Sequence, residues 1–400
     1  MSLIAKRLQT VKPSPTLAVA AKAKELTMQG INIISLAAGE PDFDTPDNIK
    51  LAAIEAIKNG ATKYTMVSGT PELRKAVCEK FKRENGLDYK IDEIIVSAGG
   101  KQVIYNLFMA TIDEGDEVII PAPYWVSYPD IVLLAGGVPV FVSSDMTSGF
   151  KALPEDIEKT ITKKSKWLIL NSPNNPSGAA YTENELAKIA DLVRKYPHLY
   201  VMSDDIYEHI TFDGFKFTTL AAIAPDIKDR IFIVNGVSKS YSMTGWRIGY
   251  GAGSKFIIKA MDVIQSQSTS NPSSISQVAA LEALSGPQDY IKTNTANFQK
   301  KRDLVLFMLN KINGLDCYKS EGAFYLFPKC SDLFGKQTPK GEKINSSSDL
   351  ATYLLEVANV AVVPGIAFGL EGYFRISYAT STELLTDACN RMGQAISQLR

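Results

Sequence analysis

The 400-residue chain contains 43 Lys+Arg and 43 Asp+Glu, so its formal net charge is zero. This balance provides no basic excess for binding nucleic acid or an anionic membrane surface, and any charged ligand must be bound by local groups. The hydrophobic fraction of 45% and the charged fraction of 22% are those of an ordinary soluble globular protein, and the length predicts two or three domains.

Cysteines and histidines are few and scattered. The four cysteines form no CxxC pair and the imidazoles are only those of His198 and His209, so we expect reduced cysteines and no metal site. No apolar run is long enough to span a bilayer, and MSLIAKRLQTVKPSPT at the start lacks the apolar core of a secretory signal. We therefore expect a cytoplasmic protein with no membrane partner.

Three Ser/Thr-Pro pairs predict helix starts in the first part of the chain. Each pair places a capping hydroxyl before a proline suited to the first helical position. The pairs are Ser14-Pro15, Thr45-Pro46 and Thr70-Pro71, and the expected helix ends lie near Gly30, Gly60 and Gly86.

Short apolar runs between helical patterns predict the strands of a largely parallel sheet. These runs are EIIVSAGG, DEVIIP, KWLILNSP, LYVMSDD and RIFIVNG. Ligands of parallel sheets bind beyond the carboxyl ends of the strands. The polar clusters SAGGK, NSPNNPSG, SDDIY and VNGVSK fall at those ends, which indicates one shared site.

The chain changes character from about Asp289. A long charged helix precedes GAFYLFP, a helix over Ser348–Ala358, VAVVPG and FRISYAT, which together predict a smaller α+β unit. We expect residues 1–45 to form an N-terminal arm and part of a small domain, residues 46–288 a large domain, and residues 289–400 the rest of the small domain.

The stretch VNGVSKSYSMTGWRIGYGAG places Lys239 between serines and apolar residues. A lysine that attacks a carbonyl must lose its proton, which a dry pocket with other cations favours. Arg247 offers a forked cation to a phosphate, and Gly99 and Gly100 offer backbone N–H groups at a helix N-terminus. The pattern indicates a cofactor with an aldehyde, a phosphate and a ring nitrogen.

Four further residues fit such a cofactor. Asp204 can keep a pyridine nitrogen protonated, which makes the ring an electron sink. Tyr207 and Asn175 can hydrogen-bond to a ring oxygen, and Trp125 can stack on the ring. Each residue alone also has an ordinary structural explanation, such as a helix cap for Asp204 and a core position for Trp125.

Together SKSYSMTGWRIG, NNPSG, SDDIY, AAGEPDF, PAPYW and FRISYA resemble, in order and spacing, the fold-type I aminotransferases that use pyridoxal phosphate. The resemblance covers essentially the whole chain and is finest to the aspartate aminotransferase branch of bacteria and plant plastids, some members of which also transaminate prephenate. NPSG and SDDIY depart from the commoner NPTG and SDEIY but preserve the chemical groups. The resemblance implies an α/β fold, with a mostly parallel seven-stranded sheet covered by helices in a large domain and a smaller α+β domain.

The resemblance also implies roles for residues around the cofactor. Lys239 forms a Schiff base with pyridoxal phosphate and carries the proton, Asp204 pairs with the ring nitrogen, and Tyr207 and Asn175 bond the phenolic oxygen. Tyr64 reaches the phosphate of a neighbouring subunit, so a homodimer with shared sites is expected. The groups expected to hold the phosphate within one subunit are Gly99, Gly100, Ser238 and Arg247.

For the substrate, the resemblance implies that Arg375 binds the α-carboxylate and that Gly39 lets the backbone approach it. Trp125 and Asn175 are expected to contact the substrate as well. The stretch SQSTSNPSSISQ lacks the arginine that many aspartate aminotransferases contribute from the other subunit. In the resembling branch the positions of Lys101, Lys12, Ser14 and Thr16 contact the distal group of the substrate, so the resemblance implies that they bind the distal carboxylate here. The alternative is that Lys101 serves only the nearby phosphate and Lys12 is a solvated residue.

The expected reaction converts L-aspartate and 2-oxoglutarate into oxaloacetate and L-glutamate, with prephenate as a further acceptor that gives L-arogenate. One alternative is a related aminotransferase that prefers alanine or aromatic amino acids. Another is a non-catalytic sensor module with this fold, which requires a DNA-binding domain ahead of AAGEPDF. We expect no helix-turn-helix in the short segment there.

Overall fold

The computed structural model describes residues 3–11 and 13–400. The helices are α1 (Pro15–Met28), α2 (Asp47–Lys58), α3 (Pro71–Asn85), α4 (Gly100–Thr111), α5 (Ser127–Leu134), α6 (Pro154–Glu158), α7 (Glu183–Lys195), α8 (Leu220–Ile223), α9 (Lys255–Ser268), α10 (Ser274–Ser285), α11 (Asp289–Leu309), α12 (Ser347–Val357) and α13 (Thr382–Ser397). The strands are β1 (Ile34–Ser35), β2 (Ile94–Ser97), β3 (Glu117–Ala122), β4 (Val138–Ser143), β5 (Ser165–Asn171), β6 (Tyr200–Asp204), β7 (Ile231–Gly236), β8 (Gly249–Ala252), β9 (Tyr325–Leu326), β10 (Val360–Ala361), β11 (Val363–Pro364) and β12 (Phe374–Ser377).

A seven-stranded sheet with the order β2-β8-β7-β6-β5-β3-β4 forms the centre of the larger unit. Strands β3 to β7 run parallel, and β8 is antiparallel to both of its neighbours. Every residue of β2 and β7 is buried, as expected for strands covered on both faces. One core cluster joins the sheet to α3, α7 and α10, and another joins it to α4, α5 and α9. The predicted fold class is thus confirmed.

The strands predicted from the five apolar runs correspond to β2, β3, β5, β6 and β7. Strands β4 and β8 fall outside this set. Strand β4 forms the sheet edge beside β3, contains Pro139 and is largely exposed, so it lacks the continuous apolar pattern of a buried strand. Strand β8 has the glycine-rich sequence GYGA, which is not an apolar run either.

The predicted helix signals are partly correct. Thr70 caps α3 by accepting a 3.3 Å hydrogen bond from a backbone amide of the first turn, and Gly86 ends this helix with φ 66°. Thr45 does not cap α2, because its hydroxyl donates to the carbonyl of Ser242 at 2.7 Å. Ser14 also makes no capping bond to α1. Tertiary and local side-chain contacts replace these two caps.

A second core combines residues from both ends of the chain. Strand β1 pairs in parallel with β10, and β11, β12 and β9 form an antiparallel sheet beside α11, α12 and α13. Helix α12 lies within one residue of the position predicted for it. The predicted division of the chain at residues 45 and 288 stays a prediction. Within the described ranges, no helix is both long and apolar enough to cross a membrane.

Candidate active site

A cavity of about 500 Å³ lies at the carboxyl ends of β5, β6 and β7, between the two cores. The strand ends bring together polar segments that are far apart in the sequence, as the parallel topology predicts. The predicted site residues that line the cavity are Thr16, Gly39, Gly100, Lys101, Trp125, Asn175, Asp204, Tyr207, Ser238, Lys239, Arg247 and Arg375.

Lys239 lies on the loop that follows β7. Its Nζ donates a hydrogen bond to the carbonyl oxygen of Gly39 and lies 5.8 Å and 5.7 Å from the ring centres of Tyr207 and Phe324. Burial, and next the charge of Arg375, lower the pKa of the amine to about 8. Near that pH much of the amine is uncharged and able to attack a carbonyl carbon.

Asp204 ends β6 and is 6% exposed. Its Oδ2 accepts a 2.7 Å hydrogen bond from the hydroxyl of Tyr128, and its Oδ1 accepts a 3.3 Å bond from the backbone N–H of Ile206. Burial raises the pKa of this carboxyl to about 6, although the Tyr128 hydrogen bond opposes the increase. Above that pH, Asp204 presents a negative charge to the cavity.

An anion cradle lies where α4 begins. Gly99 precedes the helix with φ 90°, a conformation that glycine adopts readily, and Gly100 is its first residue. The Arg247 guanidinium lies so close to Gly99 that an added Cβ would be 2.5 Å from Nη2. With the buried Ser238 beside it, this end of the cavity combines helix N–H groups, a hydroxyl and a forked cation.

Arg375 reaches the cavity from β12 and is 2% exposed. Its Nη1 donates to Oδ1 of Asn175 at 2.9 Å and its Nη2 donates to the carbonyl of Ala37 at 2.6 Å. Its Nε is buried without a hydrogen-bond partner in the described part of the chain. Since neither observed acceptor is charged, the guanidinium retains its capacity to bind a carboxylate.

Aromatic side chains form two walls of the cavity. The hydroxyls of Tyr207 and Tyr325 are 2.9 Å apart, and the Tyr325 ring lies 4.6 Å from the Arg375 guanidinium carbon. On the other side, Nζ of Lys101 lies 4.9 Å from the ring centre of Trp125. An aromatic ring and a movable cation thus lie together in the cavity.

Four predicted residues do not belong to this cavity lining or lie outside the described residues. Ser14 does not line the cavity but hydrogen-bonds at 2.9 Å to the hydroxyl of Thr16, which does. Tyr64 is 91% exposed and lies away from the cavity of its own chain. The prediction for Lys12 falls outside the described residues. The remaining predicted residue, Gly99, lies beneath Arg247 as described above.

Comparison with known proteins gives a consistent result. The family model for aminotransferase class I and II matches residues 31–392. The chain belongs to this family. It is 66% identical to the probable aspartate/prephenate aminotransferase of Rickettsia felis, covering 100% of this chain and 98% of the relative. It is 57% identical to the aspartate/prephenate aminotransferase of Cereibacter sphaeroides, covering 98% of each chain.

Solved structures of aspartate aminotransferases match the chain over essentially its whole length. The crystal structure of the aspartate aminotransferase from Rhizobium meliloti has a TM-score of 0.97 at 52% identity and covers 100% of both chains. That of the Thermus thermophilus aspartate aminotransferase with maleate has a TM-score of 0.93 at 43% identity, covering 99% of this chain and 100% of that one. The resemblance inferred from the motifs and the assignment as an aminotransferase are confirmed.

Sequence reasoning missed five polar residues that line this aminotransferase's cavity. Two of them, Thr244 and Glu40, are hydrogen-bonded to each other at 2.9 Å, and the other three contact predicted site residues. Tyr128 bonds Asp204, Tyr325 bonds Tyr207, and Asn171 donates to the Asp204 carbonyl at 2.9 Å. Each of these three lies in or near a motif quoted above: Tyr128 follows PAPYW by three residues, Tyr325 lies in GAFYLFP and Asn171 lies in NSPNNPSG. The motifs located them, but their contacts depend on the meeting of separate elements.

A cluster behind the cavity contains groups of the kind that bind metals. One ligand atom each of Glu84, Glu208 and His209 lies within 4.8 Å of the others. The ammonium of Lys80 donates to Glu208 and lies 3.4 Å from Glu84, so a cation from the chain itself already compensates these carboxylates. We therefore interpret the cluster as a structural ion network.

Proposed function

We propose that this aminotransferase transfers the amino group of L-aspartate to 2-oxoglutarate with pyridoxal phosphate as its cofactor, giving oxaloacetate and L-glutamate, and that it also converts prephenate to L-arogenate. The observation that carries the proposal is the collection of Lys239, Asp204 and Arg375 in one cavity. The names of the relatives from Rickettsia felis and Cereibacter sphaeroides support the choice of substrates.

The cavity's donor set fits pyridoxal phosphate. Lys239 offers an amine of lowered pKa to the aldehyde, and Asp204 offers a carboxylate to the ring nitrogen. The cradle at Gly99 fits a phosphate, because a Cβ there would displace the Arg247 guanidinium. When bound, the cofactor supplies an electron sink that stabilises negative charge at the substrate Cα.

The chain's own residues bind the substrate and move its proton. Arg375 holds the α-carboxylate through its guanidinium, exchanging the neutral acceptors Asn175 and Ala37 for a charged one. Lys239 takes the proton from the substrate Cα and returns it later in the reaction. Tyr207 donates a hydrogen bond to the ring oxygen, with its own hydroxyl oriented by Tyr325.

The distal carboxylate of aspartate is assigned to Lys101 and the hydroxyl of Thr16, and the predicted contributions of Lys12 and Ser14 stay part of this proposal. Lys101 is an ammonium on a flexible stem and can follow ligands of different length. Leu17, which lines the same opening and is 68% exposed, leaves apolar surface for the ring of prephenate.

We also propose that the protein acts in the cytoplasm as a homodimer. Tyr64 then contacts the phosphate held by the neighbouring subunit, together with Gly100 and Ser238 of that subunit. Its 91% exposure supports an intermolecular role, since a ring left in water gains nothing from its apolar area.

A panel of amino donors tests the proposal. Aspartate, glutamate, alanine and phenylalanine are each combined with 2-oxoglutarate, oxaloacetate and prephenate, and product amino acids are quantified. We expect the acidic donors to be fastest and prephenate to accept an amino group from them. Faster turnover of alanine or phenylalanine would favour the alternative specificity. If the protein turned over none of these pairs and shifted the mobility of DNA in a gel, a sensor module would be favoured.

A further inference from the structure

Tyr128 is a buried titratable residue for which the proposed reaction so far has no role. It lies in the first turn of α5, is 1% exposed and directs its hydroxyl at Oδ2 of Asp204, 2.7 Å away. Its ring packs edge-on against Trp125, with ring centres 5.3 Å apart and planes at 83°. These contacts hold the hydroxyl in one position at the cavity wall.

The two oxygens of Asp204 therefore have different environments. Oδ2 receives the short bond from Tyr128, whereas Oδ1 receives a bond of 3.3 Å from the backbone N–H of Ile206. A carboxylate oxygen accepts more than one donor, so Oδ1 keeps the capacity for a second, stronger partner from the cavity. The backbone is fixed as well, because Asn171 donates to the Asp204 carbonyl at 2.9 Å.

The hydroxyl also affects the charge of Asp204. A hydrogen bond to a carboxylate favours its ionised form, while burial favours the neutral acid. The other titratable groups around Asp204 are Lys239, whose charge favours ionisation, the adjacent Asp205, and Tyr207. Asp205 is buried and acidic, so it does not offset the burial of Asp204, whereas the neutral donors Tyr128 and, more weakly, the Ile206 N–H do.

We propose that Tyr128 is a positioning residue, which turns Oδ1 of Asp204 toward the ring nitrogen of the cofactor and keeps this carboxylate ionised. The proposal rests on the proposed use of pyridoxal phosphate. It assigns Tyr128 no proton transfer and no contact with the substrate.

The test measures the affinity of the apoenzyme for pyridoxal phosphate. Tyr128→Phe removes only the hydroxyl, and Tyr124→Phe is the matched control, because Tyr124 lies in the same segment but stacks on Phe141 at 5.1 Å. The Kd of each variant is measured by fluorescence titration at pH 6, 7 and 8.5 and divided by the wild-type Kd at the same pH. This ratio cancels the cofactor's own titration.

For Tyr128→Phe we expect a Kd ratio of about ten at pH 6 that falls toward a few-fold at pH 8.5, since the loss of a hydrogen bond to a charged group leaves Asp204 protonated up to higher pH. The control should keep a ratio near one. A ratio near one for Tyr128→Phe, or a ratio independent of pH together with weaker resistance to urea, would overturn the positioning role. Failure of the wild-type apoenzyme to bind pyridoxal phosphate would instead overturn the proposed function, and this inference with it.

Discussion

Two groups of buried or partly buried charges lie on opposite sides of the 204–209 segment, and they are satisfied in opposite ways. Behind the segment, Lys80 pairs with Glu208 and Glu84, and Glu208 also accepts 2.7 Å and 3.0 Å bonds from Asn235 and Asn85. We call this cluster, with His209, the rear network. It is a compensated set in which each carboxylate has several donors.

In the cavity, three cations have neutral hydrogen-bond partners, although the carboxylates of Glu40 and Asp204 line the same cavity. In the described part of the chain, Lys239 donates to the carbonyl of Gly39, and Arg247 donates to two further carbonyls. Arg375 donates to a carbonyl and an amide side chain. Of these three cations Arg375 is buried, Lys239 is part-buried and Arg247 is exposed. A buried cation without a hydrogen-bonded counter-ion costs stability, so the persistence of Arg375 indicates an anionic ligand.

The comparison distinguishes structural charge from functional charge. Each region contains a lysine removed from water: the fully buried Lys80 is paired with Glu208, whereas Lys239 is part-buried and, among the described residues, bonds only a carbonyl. Burial, and next the charge of Arg375, lower the pKa of Lys239 to about 8. Charge paired within the chain holds elements together, whereas charge left for a ligand binds or reacts. Substitutions in the two regions should therefore separate stability from activity.

The largest effect is expected for Lys239→Ala. Losing both the covalent attachment and the proton carrier should lower kcat by at least about 10⁴-fold. Borohydride reduction of the wild-type enzyme followed by peptide mapping should find the cofactor on Lys239. Lys58→Ala, which removes a side chain 64% exposed on α2, is the control and should keep full activity. Cofactor attached to another lysine would contradict the assignment.

Next is Arg375→Leu. We expect a loss of about 2–5 kcal/mol of transition-state binding for alanine and aspartate alike, because both carry the α-carboxylate. The apoenzyme should nevertheless be as stable as the wild type or more stable, because an uncompensated buried charge is removed. Steady-state kinetics and urea unfolding measure the two quantities.

The control for this variant is Arg391→Leu, which removes an arginine paired with Asp387 on α13. Its activity should be unchanged and its stability within about 1 kcal/mol of the wild type. A marked destabilisation by Arg375→Leu would mean that this cation is a structural one, and the distinction between the two regions would fail.

The sequence predicted one of these regions and missed the other. Asp204, Lys239 and Arg247 stand in dense motifs at predicted strand ends, so the parallel topology alone placed them together. Lys80 stands in PELRKAVCEKFKREN, which is typical of a charged surface helix. Its partner Glu208 is 128 residues away, and no local pattern reports such a contact.

The absence of a local signal for distant contacts also explains why the predicted helix cap at Thr45 is wrong. The Thr45 hydroxyl donates instead to the carbonyl of a residue 197 positions further along the chain. Local signals predicted the caps and strands that depend on neighbours in the sequence. They could not predict hydrogen bonds between segments that are far apart in the sequence. Tyr128 belongs to this second kind, since Asp204 is 76 residues further along the chain.

In the rear network, Glu208→Gln should destabilise the fold by about 3 kcal/mol, because Lys80 loses a buried counter-charge. Urea unfolding at pH 7 measures this loss. The double variant Lys80→Met/Glu208→Gln should be less destabilised than Glu208→Gln alone, because the unpaired ammonium is also removed. Additive losses would contradict a direct coupling of the two charges.

The pH dependence of the network has a defined sign. Burial would raise the pKa of Glu84, but the His209 hydrogen bond and the Lys80 charge lower it to about 2 from 4.5. As the pH falls below about 4.5, this carboxylate becomes protonated in the unfolded state but stays ionised in the folded state. The stabilisation by Glu84 should be complete above about pH 4.5 and be lost progressively as the pH falls toward 2. Glu84→Gln should remove that part of the acid dependence.

The smallest effect is expected for Lys101→Ala, at the opening of the cavity. Lys101 is assigned the distal carboxylate, which aspartate has and alanine lacks. Removing this one cation should lower kcat/KM for aspartate by about tenfold. The kcat/KM for alanine should stay within about twofold of the wild-type value. Alanine is the internal control, because damage to the cofactor site, where Arg247 also lies, would slow both substrates. Equal losses for both substrates would instead assign Lys101 to the phosphate, and an unchanged aspartate rate would leave Thr16 and Lys12 as the distal contacts. Because Lys101 also lies over Trp125, Lys101→Met, which keeps the apolar stem, separates the loss of charge from the loss of packing.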